Sequence, residues 1–434
     1  MCPMKTCLKI GCQNVQGSLI SKCEEPDFVE LVKNHDIFIV TETWLSDVDQ
    51  SCTISGYEYV RSDRKKKKSS KRGSGGVLAY YKHSLKTGIT KFTSKCSDLM
   101  WIKLNKQFFG LEQDWYLCCA YVVPKNSSLV NKATLQHLEV LSQEIAFYQS
   151  KGGILIMGDL NCRMGQYQEN INLAPYDIND ESLHKDEIMD LPTRRCMDSS
   201  INQQGRDFKK VINSSHLIIL NGRVVGDMSG MYTCHTYNGS FVVDYCMVTP
   251  DIYKHVQYFK ILPMEWYSDH TPITASFRIK STSTNHDQNS NYDVNIENFP
   301  PKFKWSDTSK KKFADILNSE EYTKNFENYV SKTYGDYNKA TDELRLMFVE
   351  AAKKCFKDDS NRHHKKIRKD RPNFSPIIQQ AKRQFKQARR AYNNFICGDR
   401  RKELINARKK YKKAINDVKK CYEGKENTKT CIIG

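Results

Sequence analysis

Nowhere in the 434 residues does an apolar run approach the roughly 18 positions that a membrane-spanning helix needs, so no such helix is expected. The first residues lack the apolar core of a secretion signal, and no Cys-x-x-Cys pair occurs. A secreted product and a structural zinc clasp are both argued against. The 16 cysteines therefore read as reduced thiols of a nuclear or cytoplasmic protein, several of them within expected strands (Cys12, Cys118, Cys119, Cys246). The final Cys431-Ile432-Ile433-Gly434 has the outline of a prenylation box, but glycine is not a usual last residue, and no membrane partner is inferred. Acidic side chains are scarce at one end only. From Pro301 onward 35 Lys+Arg face 17 Asp+Glu, which accounts for the whole net charge of +18 and leaves the first 300 residues neutral. Such asymmetry points to a polyanionic partner for the tail, against a plain alternative of a solubilising basic extension.

What is present centres on Gly153-Ile154-Leu155-Ile156-Met157-Gly158-Asp159-Leu160-Asn161. The bounded apolar run reads as a buried strand that releases Asp159 and Asn161 on one face, since residues two apart in an extended chain point the same way. A carboxylate can take a proton from water while a neighbouring carboxamide holds that water or a phosphate oxygen. A polar turn after a core strand is the plainer reading of the same residues.

The same form recurs along the chain. Leu8–Gln13 alternates like a strand and delivers Asn14, with Gly17 as breaker; Ile37–Val40 ends in Thr41-Glu42-Thr43-Trp44; Trp115–Ala120 ends in Tyr121 before the turn at Pro124. Glu42 is a candidate magnesium ligand, because one carboxylate with waters and substrate phosphate is a usual arrangement for that ion. Leu99–Leu104 is a further strand, 131–149 has helical spacing, and Leu217–Leu220 is a strand before Asn221-Gly222-Arg223. Thr233–Thr236 and Phe241–Val248 flank Asn238-Gly239 as a β-hairpin, and Asp244 interrupts its second strand, where a buried carboxylate costs free energy unless partnered. Ser268-Asp269-His270 lies in a turn before a last strand; an Asp beside a His can orient an imidazole near a phosphate. Arg64, Lys65, Lys66, Lys67, Lys68, Lys71 and Arg72 form a basic loop suited to a phosphate backbone or to nuclear import.

Asn14, Glu42, Tyr121, Asp159-x-Asn161, Asp244 and Ser268-Asp269-His270, in this order over some 280 residues, resemble the motif series of the endonuclease/exonuclease/phosphatase superfamily. Asn221-Gly222-Arg223, the Thr-rich hairpin, Gly239–Tyr245 and Tyr121-x-x-Pro124 are similar to the endonuclease domain of LINE-type non-LTR retrotransposons. The resemblance implies an α/β fold, a two-sheet, four-layer α/β sandwich (DNase I-like), with the site at one rim and magnesium-dependent nicking of DNA; Mn2+ is the alternative ion. It implies that Glu42, with Asn14 and Asp269, holds the metal, that Asp159 aligns or deprotonates water beside Asn161, that Asp269 fixes the tautomer of His270, and that Tyr121 and Asp244 support phosphate and histidine. It adds Arg223 and Thr233 as nucleic-acid contacts.

These readings divide the chain into a catalytic domain at 1–280, a polar linker at 281–300 and a basic helical region at 301–434. Within 361–420, 21 Lys+Arg meet 4 Asp+Glu, yet Ile378, Ala381, Phe385, Ala388, Tyr392 and Phe395, then Leu404, Ala407, Tyr411, Ala414 and Val418, keep steps of three and four around Gly398. That spacing predicts a helical hairpin over 376–422 rather than a disordered tail, with charged outer faces for DNA, and RNA as a second candidate. The tail is similar to the stretch that follows the endonuclease in LINE-type polyproteins; no Tyr-x-Asp-Asp polymerase signature is present, so reverse transcription is not expected. Two other readings stay open: a phosphatase or phosphodiesterase of the same fold acting on inositol phosphates or lipids, and a non-catalytic nucleic-acid-binding remnant of a transposon.

Overall fold

The computed structural model describes residues 7–46, 52–64, 73–125, 133–169, 191–280, 307–332, 337–356 and 375–430. The expected linker at 281–300 lies outside them. Fourteen strands are described: β1 Cys7–Asn14, β2 Ile37–Thr41, β3 Tyr57–Ser62, β4 Val77–Lys82, β5 Ile89–Thr93, β6 Leu99–Leu104, β7 Trp115–Tyr121, β8 Gly153–Asp159, β9 Ile218–Ile219, β10 Cys234–His235, β11 Ser240–Phe241, β12 Asp244–Val248, β13 Val256–Ile261 and β14 Ile273–Arg278.

Two six-stranded sheets form, ordered β13-β14-β1-β2-β4-β3 and β5-β6-β7-β8-β12-β9. Each is antiparallel except for one central pair, β1 with β2 and β7 with β8. Of these, β2, β7 and β8 are the apolar runs of the sequence, because a strand covered on both faces carries hydrophobic residues without alternation, while β1 alternates over its first half. Between the sheets Leu8, Ile10, Ile39, Ala79, Met100, Leu117, Leu155, Met157 and Phe277 make one core. On the outer face of the second sheet Trp101, Tyr116, Ile154 and Met247 pack against Leu141, Ile145, Phe208 and Ile212 of helices Ala133–Gln149 and Gln203–Ser214. Phe28 of helix Pro26–Lys33 meets Phe38 on the outside of the first sheet. The result is the expected four-layer α/β sandwich.

The expected hairpin is more divided than its sequence suggests. β10 pairs with β11 over two residues each, whereas β12 leaves to pair with β8 and β9. The run Phe241–Val248 is thus two strands, because Thr233 Oγ1 accepts both the Val243 and Asp244 amides and takes the place of ladder partners there.

The C-terminal part is helical, with helices Asp307–Leu317, Glu320–Ser331, Tyr337–Phe356, Pro376–Asn394 and Gly398–Thr430. Gly398 is the first residue of the last helix, so the break falls just before it. Contacts group Gln384–Lys412 with the two-sheet unit, while the other described residues from Asp307 onward form a second unit.

Candidate active site

Register brings the chemistry to one rim. Asn14 closes β1 opposite Thr41, and in the other sheet Tyr121 stands beside Asp159, which in turn faces Asp244. Two carboxylates directly opposite on neighbouring strands repel one another, an arrangement that needs a compensating positive charge. His270 supplies part of it. Its Nδ1 donates to Asp244 at 2.9 and 3.1 Å, and its Nε2 lies 4.0 Å from Asp159 Oδ2. Burial disfavours a charged imidazole, but Asp244 above all outweighs it and raises His270 well above its usual value. Asp159 is pushed up by burial and then by Asp244, with His270 opposing. The pair is therefore best read as an imidazolium beside a carboxylate short of positive partners.

Asn14 is the hinge of the cluster: its Nδ2 donates to Glu42 Oε1 at 2.7 Å and to Asp159 Oδ2 at 2.8 Å. Asn161 donates through its backbone to Asp159 Oδ1 at 3.0 Å and through Nδ2 to Val122 O and Asp159 Oδ2. Asn202, which caps helix Gln203–Ser214, holds the loop by donating to Asn161 O at 3.0 Å. Tyr121 is buried with its phenol bonded to Glu42, and burial, then Glu42 and Asp159, raise its pKa. Ser268 ties the last motif to the first, donating to Asn14 O at 2.6 Å and accepting the His270 amide at 3.1 Å.

The backbone here is unusual. Gln16, Ser18, Glu42, Trp44 and Asn161 all have φ between 49° and 55°, and apart from His216 they are the only non-glycine residues with positive φ among those described. Each such residue costs on the order of 1–3 kcal/mol and persists only where its surroundings impose it. Gly17 shows one imposition: a Cβ there would lie 2.0 Å from the Trp44 ring, whose Nε1 donates to Glu42 Oε2 at 3.2 Å. The turn at Gly17 thus admits the indole that aims Glu42.

Several sequence expectations land elsewhere. Asp269 does not fix the imidazole; Asp244, at the start of β12, occupies Nδ1, and Asp269 leaves Oδ1 buried with no hydrogen-bond partner. Asn14, expected to help hold the metal, turns its amide nitrogen to the carboxylates while Oδ1 accepts the Gln16 amide. Arg223 is buried and ion-paired with Glu169, out of reach of a nucleic acid. Thr233 is wholly buried and spends its hydroxyl on the β12 entry. Arg64 binds Asp98 and lies over the Tyr121 ring, 5.8 Å from its centroid. Lys65–Lys68, Lys71 and Arg72 fall outside the described residues. Missed by sequence were Gln13, whose side chain donates to His270 O at 2.9 Å, and Trp44; a buried Gln beside Asn14 at a strand end was the signal for the first.

The donors suit a hard divalent cation, being oxygen-rich, with Asp159, Asp244 and Asp269 around one imidazole, Glu42 joined to them through Asn14, and the Oδ1 of Asp269 buried and unpaired. Asp159, Asp244 and His270 offer ligand atoms within 4.8 Å of one another, as do Cys234, Asp269 and His270.

Among curated proteins none matches the chain. Of solved structures, the apurinic/apyrimidinic (AP) endonuclease from Leishmania major is 16% identical, covering 63% of this chain and 88% of its own, with a TM-score of 0.46. A 3′-5′ exonuclease from Neisseria meningitidis is 16% identical over 62% of this chain and 99% of its own, at a TM-score of 0.44. A 3′ phosphatase from Neisseria, bound to a product DNA hairpin, is 17% identical over the same shares, at 0.42. The model of the Endonuclease/Exonuclease/phosphatase family matches residues 12–270, from the start of the β1 end to the histidine of the rim. With that match spanning more than half of its length, the chain belongs to the Endonuclease/Exonuclease/phosphatase family.

Proposed function

We propose that the protein is a divalent-metal-dependent endonuclease that nicks DNA, of the kind carried by LINE-type retrotransposons, with basic C-terminal helices that add backbone contacts. The observation that carries the reading is the contact chain Glu42, Asn14, Asp159, with Asp244 and His270 closing it, on a protein whose basic excess lies in one region. The LINE-type origin is supported by sequence pattern alone.

Mg2+, or Mn2+ in its place, would be held by Glu42 and Asp269 and supplies positive charge against the phosphoryl oxygens. Asp159 accepts the proton of the attacking water, and Asn161 positions that water or the phosphate. As the oxygen of water bonds to phosphorus, one P–O ester bond breaks and its electron pair leaves with the strand-end oxygen, which takes up a proton from solvent. His270, held charged by Asp244, donates from Nε2 to a non-bridging oxygen as charge gathers there.

The test is relaxation of supercoiled plasmid with Mg2+, with and without excess chelator, beside Asp159→Ala and His270→Ala. Nicking that the chelator and both substitutions abolish supports the proposal. Equal nicking by all three proteins reveals a contaminant, turnover of phospho-inositol head groups alone favours the phosphatase, and DNA retention without turnover favours the non-catalytic remnant.

A further inference from the structure

The helices at 384–412 do more than hang a charge beside the catalytic unit. Arg389 donates to Met264 O at 2.7 Å, Arg408 Nε donates to Trp266 O at 3.1 Å, and the Tyr411 ring lies 5.5 Å from that of Trp266. Tyr392 reaches Ser240 Oγ at 3.3 Å. All of these grip the segment that runs into Asp269 and His270, or the small hairpin whose His235 amide donates to Asp269 O at 2.8 Å.

Arg408 and Lys412 are four apart and so share one face of their helix. Arg408 spends only Nε on the protein, and Lys412 makes no hydrogen bond or ion pair, among the described residues. On the other side Lys22, buried and donating to Val15 O and Gly17 O, lies 5.9 Å from the Tyr267 ring centroid. The three cations act on one another. Burial, then Lys412 and Arg408, pull Lys22 down to about 7, with Glu42 opposing; Asp269 favours the charged forms of Arg408 and Lys412. A protein that gathers three cations against their mutual repulsion, with Glu42 and Asp269 of the catalytic rim as the carboxylates acting on them, has assembled a receptor for an anion.

The geometry points to a phosphate subsite formed by Arg408 and Lys412, backed by Lys22, that holds a backbone phosphate of duplex DNA one or more nucleotides from the bond cut at Asp159 and His270. This rests on the nuclease reading, and makes the C-terminal helices part of substrate recognition rather than a separate tether. Bound there, the strand would pass from the catalytic rim over the Trp266–Asp269 segment.

The test is fluorescence anisotropy of a labelled 20-base-pair duplex with the full chain in chelator-containing buffer, across a salt series, for the parent, Lys412→Gln, Arg408→Gln and Lys412→Arg. Each Gln variant is expected to bind about tenfold more weakly and to lower the slope of log affinity against log salt by about 0.9, the value of one released phosphate contact, with Lys412→Arg like the parent. Lys412 is exposed, so its variant answers even if Arg408→Gln does not fold. Unchanged affinity and slope, or weaker binding at an unchanged slope, overturns the subsite. Plasmid nicking separates the two claims: a parent that nicks while its variants bind normally keeps the nuclease and loses the subsite, and a silent parent whose variants show the slope change keeps the subsite and loses the nuclease.

Discussion

Asp98 with His137 and Asp244 with His270 are the same two side chains in two settings. In the first, His137 Nε2 lies 3.2 Å from Asp98, Arg64 donates to both Asp98 oxygens through Nε at 2.8 Å and again to Oδ2 through Nη2, and the Gly76 amide adds a bond at 3.1 Å. Burial pushes Asp98 up, but His137 and Arg64 outweigh it and leave the carboxyl lowered. In the second, Asp244 and His270 bond as well at 2.9 Å, yet the neighbours are Asp159 and, through Asn14, Glu42, and the nearby carboxylate is raised rather than lowered. The local surplus of charge differs, not the pair. A buried pair whose charges are answered by protein holds a fold together; a pair left with surplus carboxylates is set for a cation and a phosphate.

The comparison breaks most readily at the rim. His270→Ala and Asp159→Ala are expected to lower kcat for nicking by roughly 10²–10⁴-fold while shifting the thermal midpoint little. A large fall in stability with modest loss of rate would move the Asp244 cluster into the structural class. Next in size, Asp244→Asn removes the largest of the charges that hold the proton on His270 and leaves burial opposed only by Cys234 and Asp159. The rate should fall by roughly 10²-fold, and the alkaline limb of the rate profile should move to lower pH, because the imidazole then loses its proton earlier. An alkaline limb that stays in place would show that some other group carries it.

Sequence showed the rim in outline because the strands that build it are central. β2 and β8 are buried along their whole length, so their apolar runs and polar ends are plain to read. β3 and β5 are edge strands with half-exposed, unpatterned faces, and nothing in Tyr57–Ser62 or Ile89–Thr93 marks them. The partner of a side chain was less legible than its type. Asp244 and Asp269 are both acids near His270, and only the register of β12 against β8 decides which one reaches Nδ1. Arg223 failed for the same reason: its partner Glu169 is 54 positions away in sequence. The steps of three and four at 376–422 announced two helices, but not that Tyr392, Arg408 and Tyr411 would seat on the site unit.

At the structural pair the expected effects are on stability. Asp98→Ala leaves Arg64 and His137 without their shared anion and should cost about 3–5 kcal/mol by chemical denaturation. Its effect on rate should be on the order of a few-fold, because Arg64 touches the site only as a cation over the Tyr121 ring. A loss of rate as deep as that of Asp244→Asn would erase the distinction between the two pairs.

The smallest effect is in pH. Burial opposes the charged form of His137, but the hydrogen bond to Asp98 prevails and raises it to about 9. A histidine whose folded value is raised contributes stability that is fully present below its unfolded value near 6.5 and lost as pH climbs through about 9. Lys22 works in the opposite sense. Its folded value, near 7, lies below its unfolded one, so its penalty is largest below that pH and fades as pH rises toward 10.5. The parent curve alone mixes the two, and the difference from His137→Gln isolates the first. The parent should be more stable than that variant by on the order of 2–3 kcal/mol at pH 6.5, with the gap closing as the pH approaches and passes 9. A gap that holds constant across this range would mean that His137 carries no extra proton in the fold, and that Asp98 is answered by Arg64 alone.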